Sequence, residues 1–337
     1  MIESPDKQLR LENHVSIVNW LSEKIGAEKL RAISDASAEK ISVAVLDTGV
    51  KLEHEALKIW QTDKNYKIKI RGRERICRGG RGFNHRTDGD DFNSPDDRNG
   101  HGTRVAGIIA ANGEKIKGVC PNATILPIKI LDDGNRLGCV SFITSGIKSA
   151  VYARNKLGIN LRVINISCGM SDAVTTIKLN ELKAAIRQAE KADILIVASA
   201  GNAGLNIGER KNCHYPASVE ADNLIAVAAT DAADRKLSHS NYLDSAIGAL
   251  GDKISTIGLS GENSVLSDTS AAAAFVAGGA ALLFAEFPAL TCAEIKTALL
   301  KTGEDASGYL QKYLPNGRIN VFAAYQKITR EQKHGSS

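Results

Sequence analysis

Short apolar runs rich in β-branched residues alternate with stretches of helical periodicity along most of this chain, and that alternation points to a parallel α/β fold. Residues 41–46, 124–131, 162–166, 193–198 and 223–228 read as strands. Residues 142–157 carry Ile143, Ile147 and Val151 on one helical face, and residues 177–192 align Leu182, Ile186 and Ala189. Residues 292–301 read as a third helix, entered through Thr291 and Glu294 at capping-box spacing. The uncharged apolar stretch 271–285 is 15 residues long. That is short of the roughly 20 that cross a membrane, so it reads as a buried core helix. The expected architecture is a mainly parallel central sheet flanked by helices, with chemistry gathered at the carboxyl ends of the strands.

The 337 residues suffice for one large domain or two ordinary ones. Lys and Arg number 43 against 38 Asp and Glu, a formal charge of +5 that is weak for a dedicated nucleic-acid binder, and none is expected as a partner. Residues 1–40 form a separable N-terminal extension with a helical pattern (Val15, Ile17, Val18, Leu21, Ile25, Leu30), and residues 330–337 form a polar tail. The first residues carry acids and no signal-peptide stretch, so a cytoplasmic setting without membrane contact is expected. The cysteines (Cys77, Cys120, Cys139, Cys168, Cys213, Cys292) are scattered without metal-ligand spacing and read as reduced thiols.

Four clusters carry possible chemistry. Asp47-Thr48-Gly49 puts a carboxylate where the first strand meets a turn, although Asp before Thr-Gly is also ordinary turn chemistry. His101 lies between Gly100 and Gly102 ahead of an apolar small-residue helix, a setting that leaves the imidazole edge open for a working base. His54, His85, His214 and His239 lack that setting and read as surface or structural. Asn202 follows the run ending at Ala198 and has an amide able to meet an oxyanion, or to fill a turn. Ser270 opens the helix of residues 271–285, where free N–H groups favour developing negative charge, and an N-cap role is equally open to it. Together Asp, His, Asn and Ser are the parts of an acyl-transfer site.

Those residues resemble the motifs of the subtilisin-like (S8) serine proteases, over about residues 41–325. Asp47 to Gly49, His101 to Gly107 and Asp268 to Gly278 match the family's three catalytic motifs in order. The resemblance implies a three-layer subtilisin-like catalytic domain over residues 41–329, with Asp47, His101 and Ser270 as triad and Asn202 in the oxyanion hole with the Ser270 N–H. It also implies that Ser167, Cys168, Gly169, Ser199, Ala200 and Gly201 flank a protein or peptide substrate bound in extended form, and that no cofactor is required. A serine endopeptidase, intracellular and selective, is the expected function. A peptide ligase or macrocyclase on the same fold, and an inactive peptide-binding scaffold, are the alternatives.

The chain departs from the family at several points. Asp268 stands where the family has Gly, Ala271 where it usually has Met, Ala274 where it has Pro, and Phe275 where His is common. Ala56 falls where the family supplies a calcium-ligating Asp, so a structural calcium lacks its usual ligand and no metal residue is assigned. Asp47 and His101 lie 54 residues apart, a long interval holding Arg71, Arg73, Arg75, Arg78 and Arg81, then Asp88, Asp90, Asp91, Asp96 and Asp97. It reads as a solvated surface loop; the sharper alternatives are an exosite for an acidic partner at residues 71–81 and an activation loop. Glu209, Arg210, Lys211 and His214 fall where the family builds its primary specificity pocket.

Overall fold

The computed structural model describes residues 26–33, 41–70, 73–86, 90–171, 174–305 and 308–335. In chain order its elements begin with α1 (Ala27–Ile33), β1 (Ser42–Asp47), β2 (Thr62–Ile70), β3 (Arg73–Gly80), β4 (Phe83–Asn84), α2 (His101–Ala110) and β5 (Thr124–Lys129). There follow α3 (Val140–Leu157), β6 (Leu161–Ile166), α4 (Thr176–Lys191), β7 (Leu195–Ser199), β8 (Leu224–Thr230) and β9 (Ile247–Leu250). The chain continues through β10 (Ile254–Ile257), β11 (Asn263–Leu266), α5 (Thr269–Glu286), α6 (Cys292–Lys301) and α7 (Val321–Gly335).

The five apolar runs become strands of one seven-stranded sheet, ordered β4-β5-β1-β6-β7-β8-β9. Every neighbouring pair in it is parallel. Successive residues of a strand enter opposite cores, as a period of two demands. Val43, Val45, Val163 and Val197 pack with α2, α5, α6 and α7. Ala44, Leu46, Ile164 and Ile196 pack with α3 and α4. A sheet covered on both faces leaves no polar side, so its strands read as continuous apolar runs rather than as alternation. The three-layer architecture is as the sequence implied.

The central helix α5 is buried almost from end to end, including every residue from Thr269 to Phe284. Its run of alanines and glycines lets it cross behind the sheet at close range. The capping box of α6 is present, with Thr291 and Glu294 bonding reciprocally.

Much of the interval expected as a loop is instead the antiparallel hairpin β2–β3. Tyr66, Ile68 and Cys77 face inward while Lys67 and Ile76 face water. One face therefore carries the charges that made the segment look like loop, and the other packs on Phe83 and Phe92. The arginines are spread along it: Arg75 lies 5.0 Å over the Phe92 ring, and Arg81 bonds Glu53 and the Leu52 carbonyl. Arg71 and Asp88 lie outside the described residues, as does the helical pattern from Val15 to Ile25. Within α1, Ala27 and Leu30 join the core around α5, and Arg31 donates to the Gly118 carbonyl at 2.8 Å. The last helix, α7, runs through residue 330 to Gly335.

Candidate active site

β1 carries Asp47 to the carboxyl edge of the sheet, fully buried. Its Oδ1 accepts the Thr48 N–H at 2.7 Å and pairs with His101 Nδ1 at 2.8 Å. His101 is the first residue of α2, and the turn before it is held by one buried carboxylate. Asp97 Oδ1 accepts from the Thr48 hydroxyl and from the N–H groups of Asn99 and Gly100, all at 2.9 Å. Asp97 Oδ2 accepts the Thr103 N–H at 3.0 Å and its hydroxyl at 2.7 Å. Asp97 thus ties the turn after Asp47 to the helix that carries His101. Gly102 is required for that approach, since a Cβ there would lie 2.0 Å from the Gly49 carbonyl oxygen. Burial works to lower the His101 pKa, but the adjacent Asp47 charge and hydrogen bond, with a smaller push from Asp268, leave it above the usual histidine value.

Ser270 sits in the first turn of α5, buried at the sheet's carboxyl edge. Its hydroxyl donates to the Ser167 carbonyl at 3.3 Å, and the Ser167 hydroxyl returns a bond to the Ser270 carbonyl at 3.3 Å. Asn202 is tethered to the residue before the serine: its Oδ1 accepts the Thr269 N–H at 3.1 Å and the Thr269 hydroxyl at 2.9 Å. That fixes the amide with Nδ2 as the remaining donor. Asp268 caps the helix: its Oδ1 accepts the N–H of Ser270 at 2.8 Å and of Ala271 at 3.1 Å. The Ser270 N–H expected for an oxyanion is therefore occupied by a carboxylate.

Ser167 to Gly169 continue β6 beyond its carboxyl end, and Ser199 to Gly201 end and continue β7 beside them. Asn241 clamps the second segment, accepting the N–H groups of Ala203 and Leu205 at 3.0 and 2.9 Å and donating to the Ala200 carbonyl at 2.8 Å. Desolvation of the half-buried Cys168 thiol, with the nearby Asp47 charge, raises its pKa well above the usual value, which keeps it from competing as a nucleophile. His214, which reads as surface or structural from its local setting and as part of the primary pocket from the resemblance, lies between these two segments, against Gly169 and Gly201. Its placement depends on a distant pairing of Met170 with Tyr215, for which the local sequence holds no signal. Glu209 and Lys211 pair with each other at 3.3 Å on the exposed turn before it. Asp97 and Asn241 were likewise not legible as site residues. The Asp-Asp-Arg-Asn-Gly run before His101, with acceptor side chains ahead of a helix, is a signal that could have found Asp97.

Near Ala56, His54 is buried and occupied, with Nδ1 accepting the Ala56 N–H and Nε2 against the Gly258 carbonyl, each at 3.1 Å. Among the described residues no group of three or more His, Cys, Asp or Glu is arranged to hold a metal ion.

Known proteins are similar to this chain in sequence and in fold. The subtilase (peptidase S8) family profile matches residues 38–324. The chain is 32% identical over 305 residues to subtilisin DY of Bacillus licheniformis, covering 90% of this chain and 96% of the relative. It is 32% identical over 316 residues to thermitase of Thermoactinomyces vulgaris, with the same two coverages, 90% and 96%. Sphericase superposes with a TM-score of 0.63 at 27% identity, over 78% of this chain and 83% of that one. The protease domain of PatA shares the fold, with a TM-score of 0.65 at 24% identity over 87% of this chain and 96% of that one. With its family motifs in order on this three-layer scaffold, the chain belongs to the subtilase family of serine peptidases.

Proposed function

We propose that the chain is an intracellular serine endopeptidase that cleaves selected peptides bound in extended form. The buried bond between Asp47 Oδ1 and His101 Nδ1 carries this reading, because it fixes the tautomer that leaves His101 Nε2 to act as base. In the reaction the Ser270 hydroxyl leaves the Ser167 carbonyl, gives its proton to Nε2 and attacks the scissile carbonyl. The C–N bond breaks as His101 passes that proton to the leaving amine, and a water activated by the same imidazole then releases the acyl group. Asn202 Nδ2 meets the oxyanion, and Asp268 must withdraw from the Ser270 N–H for the second donor to take part. Substrate backbone pairs with the segments following β6 and β7, which makes part of the affinity independent of side chains. The cysteines are all free thiols, which supports a reducing intracellular setting.

Digestion of a proteome-derived peptide library by the parent and by Ser270→Ala tests the reading. Products with new carboxyl termini, absent from the Ser270→Ala digest, are expected. Joined or cyclic products in their place would assign the acyl-enzyme to an amine acceptor, and no product from either protein would leave a peptide-binding scaffold.

A further inference from the structure

The two strands of the hairpin β2–β3 hold six Lys and Arg against two Asp and Glu, so +4 of the chain's formal charge of +5 belongs to this one element. Elsewhere the acidic and basic residues nearly cancel. The core holds the hairpin by its inner face: the Tyr66 ring meets Phe83 edge-on at 6.2 Å, Arg75 turns inward over Phe92, and the Lys67 carbonyl accepts the Tyr152 hydroxyl at 2.5 Å. Asn65, Lys67, Glu74, Ile76 and Arg78 are left exposed on the outer face, with Lys67 directly across from Ile76 and Asn65 across from Arg78. Lys67 pairs with Glu74 at 3.3 Å, and Ile76 is 66% exposed.

This face is fixed relative to the catalytic edge of the sheet. Beyond β3, Arg81 bonds Glu53 and the Leu52 carbonyl, and β4 then joins the sheet with Asn84 in register with Lys129, itself in register with Asp47. A ligand on the hairpin therefore stays in a set relation to the site, with little ordering of the protein to oppose its binding. A single exposed isoleucine is ordinary on a surface. Here it stands opposite one cation and two residues from another, in the element that holds the excess charge. Phosphate backbones and lipid headgroups are met by uninterrupted basic clusters with aromatic or several apolar anchors. Glu74 interrupts this face, and its described residues include no aromatic ring. A polypeptide alternating acidic and apolar residues fits it better, with acids toward Lys67 and Arg78 and an apolar side chain on Ile76.

We propose that the outer face of β2–β3 is an exosite for a protein substrate, binding a segment in which acidic and apolar residues alternate. The binding rests on the charge and shape of the hairpin, whereas its service to cleavage rests on the peptidase reading above.

A peptide alternating Glu and Leu, followed by fluorescence anisotropy on the Ser270→Ala protein, reads the binding without chemistry. It is expected to bind at low salt and to weaken as salt rises, while a peptide alternating Lys and Leu does not bind. Lys67→Glu with Arg78→Glu lowers the affinity about tenfold or more, and Ile76→Ser lowers it several-fold. Equal affinity of the parent and the charge-reversed protein overturns the proposal. Should the charge reversal not fold, an affinity unmoved by Lys67→Gln with Arg78→Gln overturns it. Phosphatidylserine vesicles or duplex DNA that displace the peptide at lower anion concentration overturn the choice of a polypeptide. In the Ser270-containing protein, the Glu-and-Leu segment fused to either side of a peptide cleaved in the library lowers its KM with kcat held. Lys67→Glu with Arg78→Glu then brings the ratio of fused to unfused kcat/KM to about one. Binding without any hydrolysis removes the peptidase reading and leaves the docking face standing. Hydrolysis of fused and unfused peptides with equal kcat/KM by the parent removes the exosite and leaves the peptidase reading.

Discussion

A carboxylate and an oxyanion compete for the same N–H at the start of α5, and Asp268 holds it in the resting site. Asp268→Gly gives up a helix cap, which costs a few tenths of a kcal/mol. It also frees an oxyanion donor; such a donor is worth about 10²–10³ in kcat in subtilisin. The substitution is expected to raise kcat by at least about tenfold in steady-state kinetics. The pH profile moves as well. His101 must be neutral to act as base, so the acid limb of kcat/KM lies above the ordinary histidine value, where Asp47 and Asp268 hold its pKa. Removing the Asp268 charge lowers that pKa and shifts the limb to lower pH. An unchanged kcat with an unmoved limb would refute the competition. The triad and Asn202 were legible because each stands at the end of an apolar element beside glycine or small residues. His214 was legible only through the family resemblance, because its neighbours in space are Gly169, Ser171 and Gly201, not its neighbours in sequence.

Helix α2 carries His101 but supplies no cap of its own: Gly100 precedes it in a left-handed conformation without a side-chain acceptor. Asp97 takes that role from four residues upstream and holds Thr48 as well. Asp97→Ala strips acceptors from three buried or partly buried N–H groups and two hydroxyls. The expected cost is about 3 kcal/mol in urea unfolding, with a fall in kcat as the imidazole loses its fixed position. Asp97→Asn, which keeps one acceptor oxygen, is expected to recover part of both. Equal stability of Asp97→Ala and the parent would show the turn to be self-supporting. At this scale β1, β5, β6, β7 and β8 were legible because both faces are buried over five to seven residues, whereas the equally buried β4, β9 and β10, two to four residues long, were not. The hairpin β2–β3 was not, because Lys67, Lys69, Arg75 and Arg78 mask a period of two visible in Tyr66 and Ile68.

Across the whole molecule, the chain returns after α6 to close the far end of the sheet. Gly248 of β9 donates to the Gly317 carbonyl at 2.8 Å and accepts from Ile319 at 2.8 Å. Arg318 between them bonds Asp234 at 2.7 Å, both side chains 4% exposed, and reaches Glu304 at 3.1 Å. Arg318→Ala leaves the Asp234 carboxylate buried beside a lost charge, a change that typically costs about 3–5 kcal/mol. A lower urea midpoint is expected, read beside kcat per titrated active site so that a loss of stability is separated from a loss of chemistry. An unchanged midpoint would show the closure to be carried by the backbone bonds alone. The parallel sheet and helices α3, α4 and α6 followed from the alternation of apolar runs and helical periods, whereas α7, which covers part of the expected polar tail, did not. This closure did not, because nothing in the sequence singles out Arg318 among 43 basic residues. The central claim is that Asp47, His101 and Ser270 act together on a carbonyl, and covalent labelling reads it directly. A fluorophosphonate added to the folded protein is expected to modify Ser270 alone, seen by intact and peptide mass, and to lose that reactivity in His101→Ala. Folded parent protein that takes up no label at Ser270 would contradict the account.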